Sequence, residues 1–598
     1  MVASHEMRAI RELPLAASLV LAGAALFFGG GPGYGSLPWL GGGALLALLA
    51  ALGLRGLPAG WPLVVPLALL TGWLALSIWW SVMPDHSWEY ANRALVYLLA
   101  AALGLWLADR RRSLALGLLA LLAALIGWSL LGKVLPSLYD YGPPGVGRLR
   151  GPVGLWNQLA FLADLALVLA LWRRRLEGAL VAYGALAALL LTYSRGGVVT
   201  AVLLVAAWFA LDDERAEGAR TLLAGALPAA AVVGIAFALP GVTGDGQSSH
   251  VRSRDGLLFG ALLVAGGVAT VLLRRVPLPR VSRRVLLGAG AAVVIALAAV
   301  VIVKGGGSGA VGNGSGRLAN TSSNFRFVWW HQALEGWQHH RLAGTGAGTF
   351  QLTNLLYRAN YLDVTIEPHS LPLQFLTEAG VVGLLLAIAA LAALVRPAWR
   401  RPRGHELALA LVLPAYLVHG LVDVDWDFAA VSVPVFLVAG SLAGAAPRSA
   451  ASPFALLAGA GAALLAFGVL LLPWLGERWS SDALGASPPA HAISLANRAH
   501  SVDPFLVEPY WAKALAAEQR NDPPRVTFAY YVQAVHRQPA NPATWLAAGE
   551  YAFGIGCYQS AYTYLEKYTE LDQKARSSDG GDDYNAALKR VNAGKGVC

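Results

Sequence analysis

Charge is scarce in this chain. Only 13% of its 598 residues are Asp, Glu, Lys or Arg, against about 25% in a soluble protein. That excludes an ordinary water-soluble domain. Lysine is scarcer still: there are seven, and five of them follow residue 500. The formal net charge of +10 therefore rests almost wholly on arginine. The arginines form short scattered clusters. Nucleic acid requires a concentrated basic face, so it is excluded as a partner. Cysteine is nearly absent. Cys557 and Cys598 both lie near the C-terminal end and read as two free thiols or one tail disulfide. No A-x-A site follows the charged N-terminus, so no cleaved leader is expected.

Long apolar runs are abundant instead: 56% of the residues are hydrophobic. Runs of about 17–25 residues, enough to cross a bilayer, recur near 13–30, 37–54, 62–82, 94–108, 114–132, 155–172, 178–193, 197–211, 221–240, 256–273, 285–303, 371–395, 405–421, 428–446 and 454–475. About fifteen spans make an all-α, polytopic helical membrane protein, with the lipid bilayer as its surroundings. The stretch 178–211 reads either as two spans or as one broken hairpin.

Lys and Arg collect on the cytoplasmic side of a membrane protein. If Arg8 and Arg11 are cytoplasmic, so are Arg55 and the Arg-dense loops from Asp109, Arg173, Asp212, Arg274 and Arg396. The opposite, extracytoplasmic side then receives 84–93, 133–153, 193–197, 241–255, 304–370, 419–427 and the chain after Leu475. Arg148, Arg150, Arg195, Arg252, Arg254 and Arg326 sit on that side against the rule and need another reason to be there. Arg195, in TYSRGG, has almost no polar loop around it. A charge at the membrane boundary is costly unless it is paired or working.

The domain reading is a membrane domain over 1–475, whose outer loop 304–370 is expected to carry the chemistry, then a helical domain over 476–575 and a partly disordered tail over 576–598. Trp511 and Trp545 are 34 positions apart, the period of a tetratricopeptide repeat. A protein partner is expected to use this small α-helical repeat domain.

Cations on an outer membrane face suit an anionic, lipid-anchored ligand such as a polyprenyl diphosphate carrying a sugar. Arginine presents a planar fork that holds phosphate bidentately. A neighbouring histidine, with an unperturbed pKa near 6.5, suits proton transfer. The GTGAGT turn at 344–349 offers backbone N–H groups of the kind that cradle phosphate. Trp329, Trp330 and Trp337 suit an interfacial helix or sugar stacking.

Five stretches carry a resemblance. GPVGLWNQLAFLA (151–163), SRGG (194–197), R-x-x-W-W from Arg326, HRLAGTGAGTF (340–350) and EPHSLPLQFLTEAGVVGLLL (367–386) stand in this order. Over roughly 150–390 the chain resembles the O-antigen ligase and polymerase superfamily. The resemblance implies a multi-span glycosyltransferase that moves a glycan from undecaprenyl diphosphate to an acceptor on the extracytoplasmic face. It implies His369 as catalytic base, with Arg195 and Arg326 on the diphosphate. Arg150, Asn157, Arg341, Arg358 and Glu378 are expected to bind substrate. Ser370 replaces the family's usual Asn, and Arg341 stands where Pro is common.

Each main residue has a structural alternative: Arg195 as an ion-pair partner of Asp164 or Glu378, Arg326 on lipid phosphates, His369 as a helix cap. DVDWD (423–427) has the oxygen ligands of a divalent-metal site, but its place is not the first outer loop where metal-using relatives carry their acidic motif. The expectation is a metal-independent, inverting transfer without a cofactor, at the bacterial inner membrane. The acceptor is a lipid, a saccharide or a protein, which separates a ligase from a polymerase of repeat units and from a protein O-glycosyltransferase. A flippase of the same lipid-linked glycan is the rival of another class.

Overall fold

The computed structural model describes residues 2–29, 33–58, 60, 64–138, 147–277, 317–318, 322–360, 363–400, 402–445, 451–575 and 579–595. The expected span at 285–303, part of the 304–370 loop and Cys598 lie outside them. The described residues are all-helical, with no strand. Among the described residues, seven helices are long and apolar enough to cross a membrane: Leu37–Arg55, Pro84–Leu107, Arg111–Val134, Arg215–Ala236, Ser249–Leu273, Leu371–Val395 and Pro453–Leu484. Shorter apolar helices, from Glu12–Phe28 to Ala429–Ala443, stand at six more of the expected spans. The stretch 178–211 is two helices, Leu176–Leu191 and Arg195–Leu211.

Contacts divide the chain into two compact units, each drawn from separate stretches of sequence. The first is Met1–Leu67, Val96–Phe327 and Ala389–Ala463; the second is Ala68–Leu95, Val328–Ile388 and Leu464–Cys598.

The helix Trp156–Arg173 is the centre of the first unit. Every side chain from Asn157 to Leu171 is buried. A helix apolar on all faces must be covered on all faces. Arg111–Val134, Leu176–Leu191, Arg195–Leu211 and His405–Gly420 cover it. Ser249–Leu273 instead leaves Leu257, Val264 and Leu272 largely exposed, an apolar face suited to hydrocarbon. Ion pairs join loops expected on one side of the membrane: Arg55 to Asp109 (2.9 Å), Arg111 to Glu406 (2.8 Å), Arg174 to Asp212 (2.5 Å) and Arg274 to Glu217 (2.7 Å). Outer loops likewise meet each other: Gly147 N donates to Asp245 (2.6 Å) and Arg326 pairs with Asp423 (3.0 Å). Alternating spans require this sorting of contacts.

The second unit is organised by a break in the helix Leu371–Val395, at Gly380 with φ 68. The segment from Arg341 to Gly346 lies against the break. Thr345 N and Gly346 N donate to the carbonyls of Thr377 (3.2 Å) and Glu378 (2.9 Å), and Val381 N donates to that of Arg341 (3.0 Å). Two backbones at this distance leave no room for a Cβ. One on Gly344 would fall 2.2 Å from the Glu378 carbonyl, and one on Gly380 2.2 Å from Leu342 O.

In the same unit, six helices follow residue 488: Pro489–Val502, Glu508–Gln519, Pro524–Arg537, Pro542–Gly554, Tyr558–Leu571 and Asp579–Asn592. Each packs on the next. Trp511 and Trp545 fall on the second and fourth. The last helix lies in the stretch expected to be partly disordered. Cys557 is disulfide-bonded rather than a free thiol. The tail is fastened to the rest of its unit by Gln538 Nε2 to Asp85 (2.8 Å), Gln573 N to Leu355 O (3.4 Å) and an Arg358–Asp572 ion pair (2.6 Å).

Asp503 is 1% exposed. Burial, with Asp85 adding, pushes its carboxyl up to about 7 although Phe505 N donates to it. Burial does the same to Glu508, also to about 7. A carboxyl raised in the native state contributes stability that is fully present below its unfolded pKa, near 4, and is lost as pH rises to the native value. The tail is therefore expected to unfold at lower temperature at pH 7.5 than at pH 5, read by hydrogen exchange over its first two helices. Asp503→Asn keeps an acceptor for Phe505 N and should flatten that dependence. A slope equal to wild type would contradict the assignment.

Candidate functional site

Four arginines of the first unit lie close enough to repel one another: Arg148, Arg195, Arg317 and Arg326. They come from four segments. Arg148 follows Gly147 in the loop before the central helix. Arg195 and Arg326 are the first residues of Arg195–Leu211 and Arg326–His339. Arg317 belongs to the long outer loop.

Local structure explains the placement of Arg195. Tyr193 has φ 52, which reverses the chain. Ser194 then caps the new helix, its Oγ accepting from Gly197 N (3.1 Å). The Arg195 Nη2 donates to Ser322 O (2.7 Å). Arg148 is wholly buried. Its Nε donates to Thr192 O (2.8 Å), and its guanidinium lies 3.9 Å over the Trp156 ring, a cation–π contact. Its Nη1 and Nη2 have no hydrogen-bond partner among the described residues. Burial, and then the charge of Arg317, push Arg148 down to about 8. Burial, with Arg195 and Arg326, pushes Arg317 down to about 10.

Asp423 is a carboxylate near this group and is 1% exposed. It accepts from Arg326 Nη2 (3.0 Å), Asn157 Nδ2 (2.6 Å) and Gln158 Nε2 (3.3 Å). The Gln158 amide also reaches Asp425 (3.2 Å), which holds His419 Nδ1 (2.8 Å). Asn157 thus braces the counter-ion. The DVDWD aspartates at 423 and 425 are engaged by Arg, Asn, Gln and His. Among the described residues no group of three or more His, Cys, Asp or Glu is arranged to hold a metal. Arg150 lies in the same unit, near Lys133.

The other expected site residues are in the second unit. His369 has φ 52, and its ring stacks on Trp329 at 4.9 Å and 23°. Trp329 is itself buried, with its Nε1 donating to Asp363, which also takes Gln332 Nε2 (3.0 Å). Trp329 therefore positions a histidine and lies on neither headgroups nor sugar.

The expected phosphate cradle in GTGAGT needs correction. Its amides are used internally: Gly344 N by His340 O (2.9 Å), Ala347 N by Ser77 Oγ (3.1 Å) and Gly348 N by Glu378 Oε2 (2.9 Å). Glu378 also takes Phe350 N (3.2 Å), so it ties the turn to the broken helix. Arg358 is buried and grips Asp572 with two bonds, 2.9 and 2.6 Å. Arg341 is exposed and lines an open cleft of about 540 Å³ with Trp80, His339 and His340.

Residues 250–388 match the O-antigen ligase family model. The match takes in Arg317, Arg326, His369 and Glu378 and stops short of SRGG and DVDWD. It supports a membrane glycosyltransferase of O-antigen ligase type, acting on a lipid-linked glycan and an acceptor. A comparison with curated proteins gives no match. Sequence reasoning passed over Arg317, His419 and the counter-ion role of Asp423. Arg317 was findable as one more outer arginine; the other two needed the fold.

Arg358 tests the division between scaffold and site. Arg358→Ala leaves Asp572 buried and unpaired, which should cost about 3–5 kcal/mol. Thermal unfolding checks this, and a Met/Leu replacement of the pair should recover much of the loss. An unfolding temperature equal to wild type, with turnover abolished, would return Arg358 to substrate binding.

Proposed function

We propose that this protein is a metal-independent, inverting glycan ligase. It transfers a glycan from undecaprenyl diphosphate to an envelope acceptor on the extracytoplasmic face. The observation that carries the reading is the group of four arginines, three of which lie near the buried Asp423. Arg148 Nη1 and Nη2 have no hydrogen-bond partner among the described residues, and a diphosphate would supply one.

The acceptor hydroxyl attacks the anomeric carbon from the side opposite the diphosphate. The new glycosidic bond forms as the bond from that carbon to the diphosphate oxygen breaks, and the leaving diphosphate keeps the electron pair. Arg195 and Arg326, with Arg148 and Arg317 behind them, stabilise the charge that develops there. The resemblance in sequence assigns the hydroxyl proton to His369. Its stacked ring and left-handed backbone support a role that requires fixed geometry. The repeat tail, of tetratricopeptide type, holds a protein partner.

The test is turnover by the full-length protein in detergent with EDTA, undecaprenyl-diphosphate glycan and candidate acceptors. Release of undecaprenyl diphosphate should fall about 10²–10³-fold in Arg195→Ala and Arg326→Ala, and about 10²–10⁴-fold in His369→Ala. A single shifted product marks a ligase and a ladder marks a polymerase. Release that needs added Mg²⁺ or Mn²⁺ would refute the metal-free mechanism.

A further inference from the structure

His419 stands in the last turn of His405–Gly420 and is wholly buried. Asp425 fixes one side of its ring, with both carboxylate oxygens 2.8 Å from Nδ1. Phe161 packs on the ring at 5.2 Å. The other nitrogen, Nε2, is buried with no hydrogen-bond partner among the described residues. A buried polar atom left unmatched calls for an explanation.

Nε2 faces Gly196, the neighbour of Arg195. A Cβ built on Gly196 would stand 3.8 Å from Nε2 and 3.9 Å from Val422 Cγ2. These are ordinary contact distances, so there is vacant space the size of a methyl group. Gly196 is half-exposed. The two glycines of SRGG therefore differ. Gly197 is required by packing, because its Cβ would fall 2.6 Å from Ala160 Cβ. Gly196 has helical backbone and room for a side chain, although alanine is the better helix former. Packing does not explain it; the gap it leaves in front of Nε2 does. The gap also adjoins the first turn of a 17-residue helix, where free amides and the dipole favour anions.

We propose that His419 is a ligand of the anion held by the arginine cluster: Nε2–H donates to a diphosphate oxygen seated over Gly196. Because the Asp425 carboxylate accepts from Nδ1–H, the ring donates from Nε2 as an imidazolium, balanced by Asp425. Charge on the donor and on the acceptor strengthens such a bond. The inference rests on reading the arginine cluster as a diphosphate site.

The experiment uses the full-length protein in detergent and titrates inorganic pyrophosphate by calorimetry, with thermal unfolding alongside. Gly196→Ala is the decisive variant, because it fills the gap while favouring the helix. It should keep or raise the unfolding temperature and weaken pyrophosphate at least about tenfold, as should His419→Gln. Arg195→Ala tests the underlying reading and should also lose affinity. Geranyl diphosphate should displace pyrophosphate and phosphatidylglycerol should not; the reverse would make the ligand a bilayer headgroup and overturn the diphosphate. If Gly196→Ala binds like wild type while Arg195→Ala does not, His419 lies outside the site and the arginine reading stands. If wild type fails to bind, or Arg195→Ala binds unchanged, both fall.

Discussion

Like charges held together in an apolar bundle are the constraint on which the first unit depends. Two unit charges about 8 Å apart repel by roughly 2 kcal/mol at an effective dielectric of 20. Arg148, Arg195, Arg317 and Arg326 repel one another, and Arg148 incurs a burial cost besides. The fold offsets part of this through Asp423, and it braces Asp423 in turn. Asn157 and Gln158, side by side on the central helix, both donate to it. Gln158 bridges to Asp425, and Asp425 to His419. A polar chain thus runs from Arg326 through Asp423, Gln158 and Asp425 to His419. The polar residues at the head of an otherwise apolar helix are there because the arginines are.

The second unit solves a different problem, that of holding His369 still. Its means are glycines and aromatic rings. Gly344 and Gly380 let the GTGAGT strand of chain lie on an opened turn of helix. Glu378 then closes the turn through Gly348 N and Phe350 N. The histidine follows on a left-handed backbone, against the face of Trp329. Neither the glycines nor Glu378 needs to touch a substrate for the site to depend on them.

Periodicity and length made the helical membrane architecture legible, since long apolar runs have few other uses. The charge rule made the outer arginines legible as anomalies, and Arg148, Arg195 and Arg326 do gather in one cluster. Assignments that depended on pairing were not legible. Arg358 resembles a substrate arginine in sequence, yet its partner, Asp572, lies 214 positions away. Glu378 looks costly inside a span, yet main-chain amides that only the kink delivers satisfy it. Asp423 has the oxygens of a metal ligand, but its pairing with Arg326 shows only in the fold. In each case the residue type was informative and the partner was not, because partners are set by tertiary contacts that local sequence does not encode.

Arginines at the two ends of the first unit differ in the partners the chain gives them. On the side expected to be cytoplasmic, Arg55, Arg111, Arg174 and Arg274 each have a carboxylate: Asp109, Glu406, Asp212 and Glu217. These arginines are accounted for by the chain. Buried Arg358, in the second unit, is also matched with a carboxylate. At the outer end, Arg148 is as deeply buried as any of them, yet it meets an indole face and one carbonyl, with two nitrogens unmatched among the described residues. Burying an unmatched guanidinium is a net loss for stability. The fold supplies carboxylates regularly elsewhere and leaves these two nitrogens unmatched among the described residues, which is the observation that supports the proposed diphosphate site.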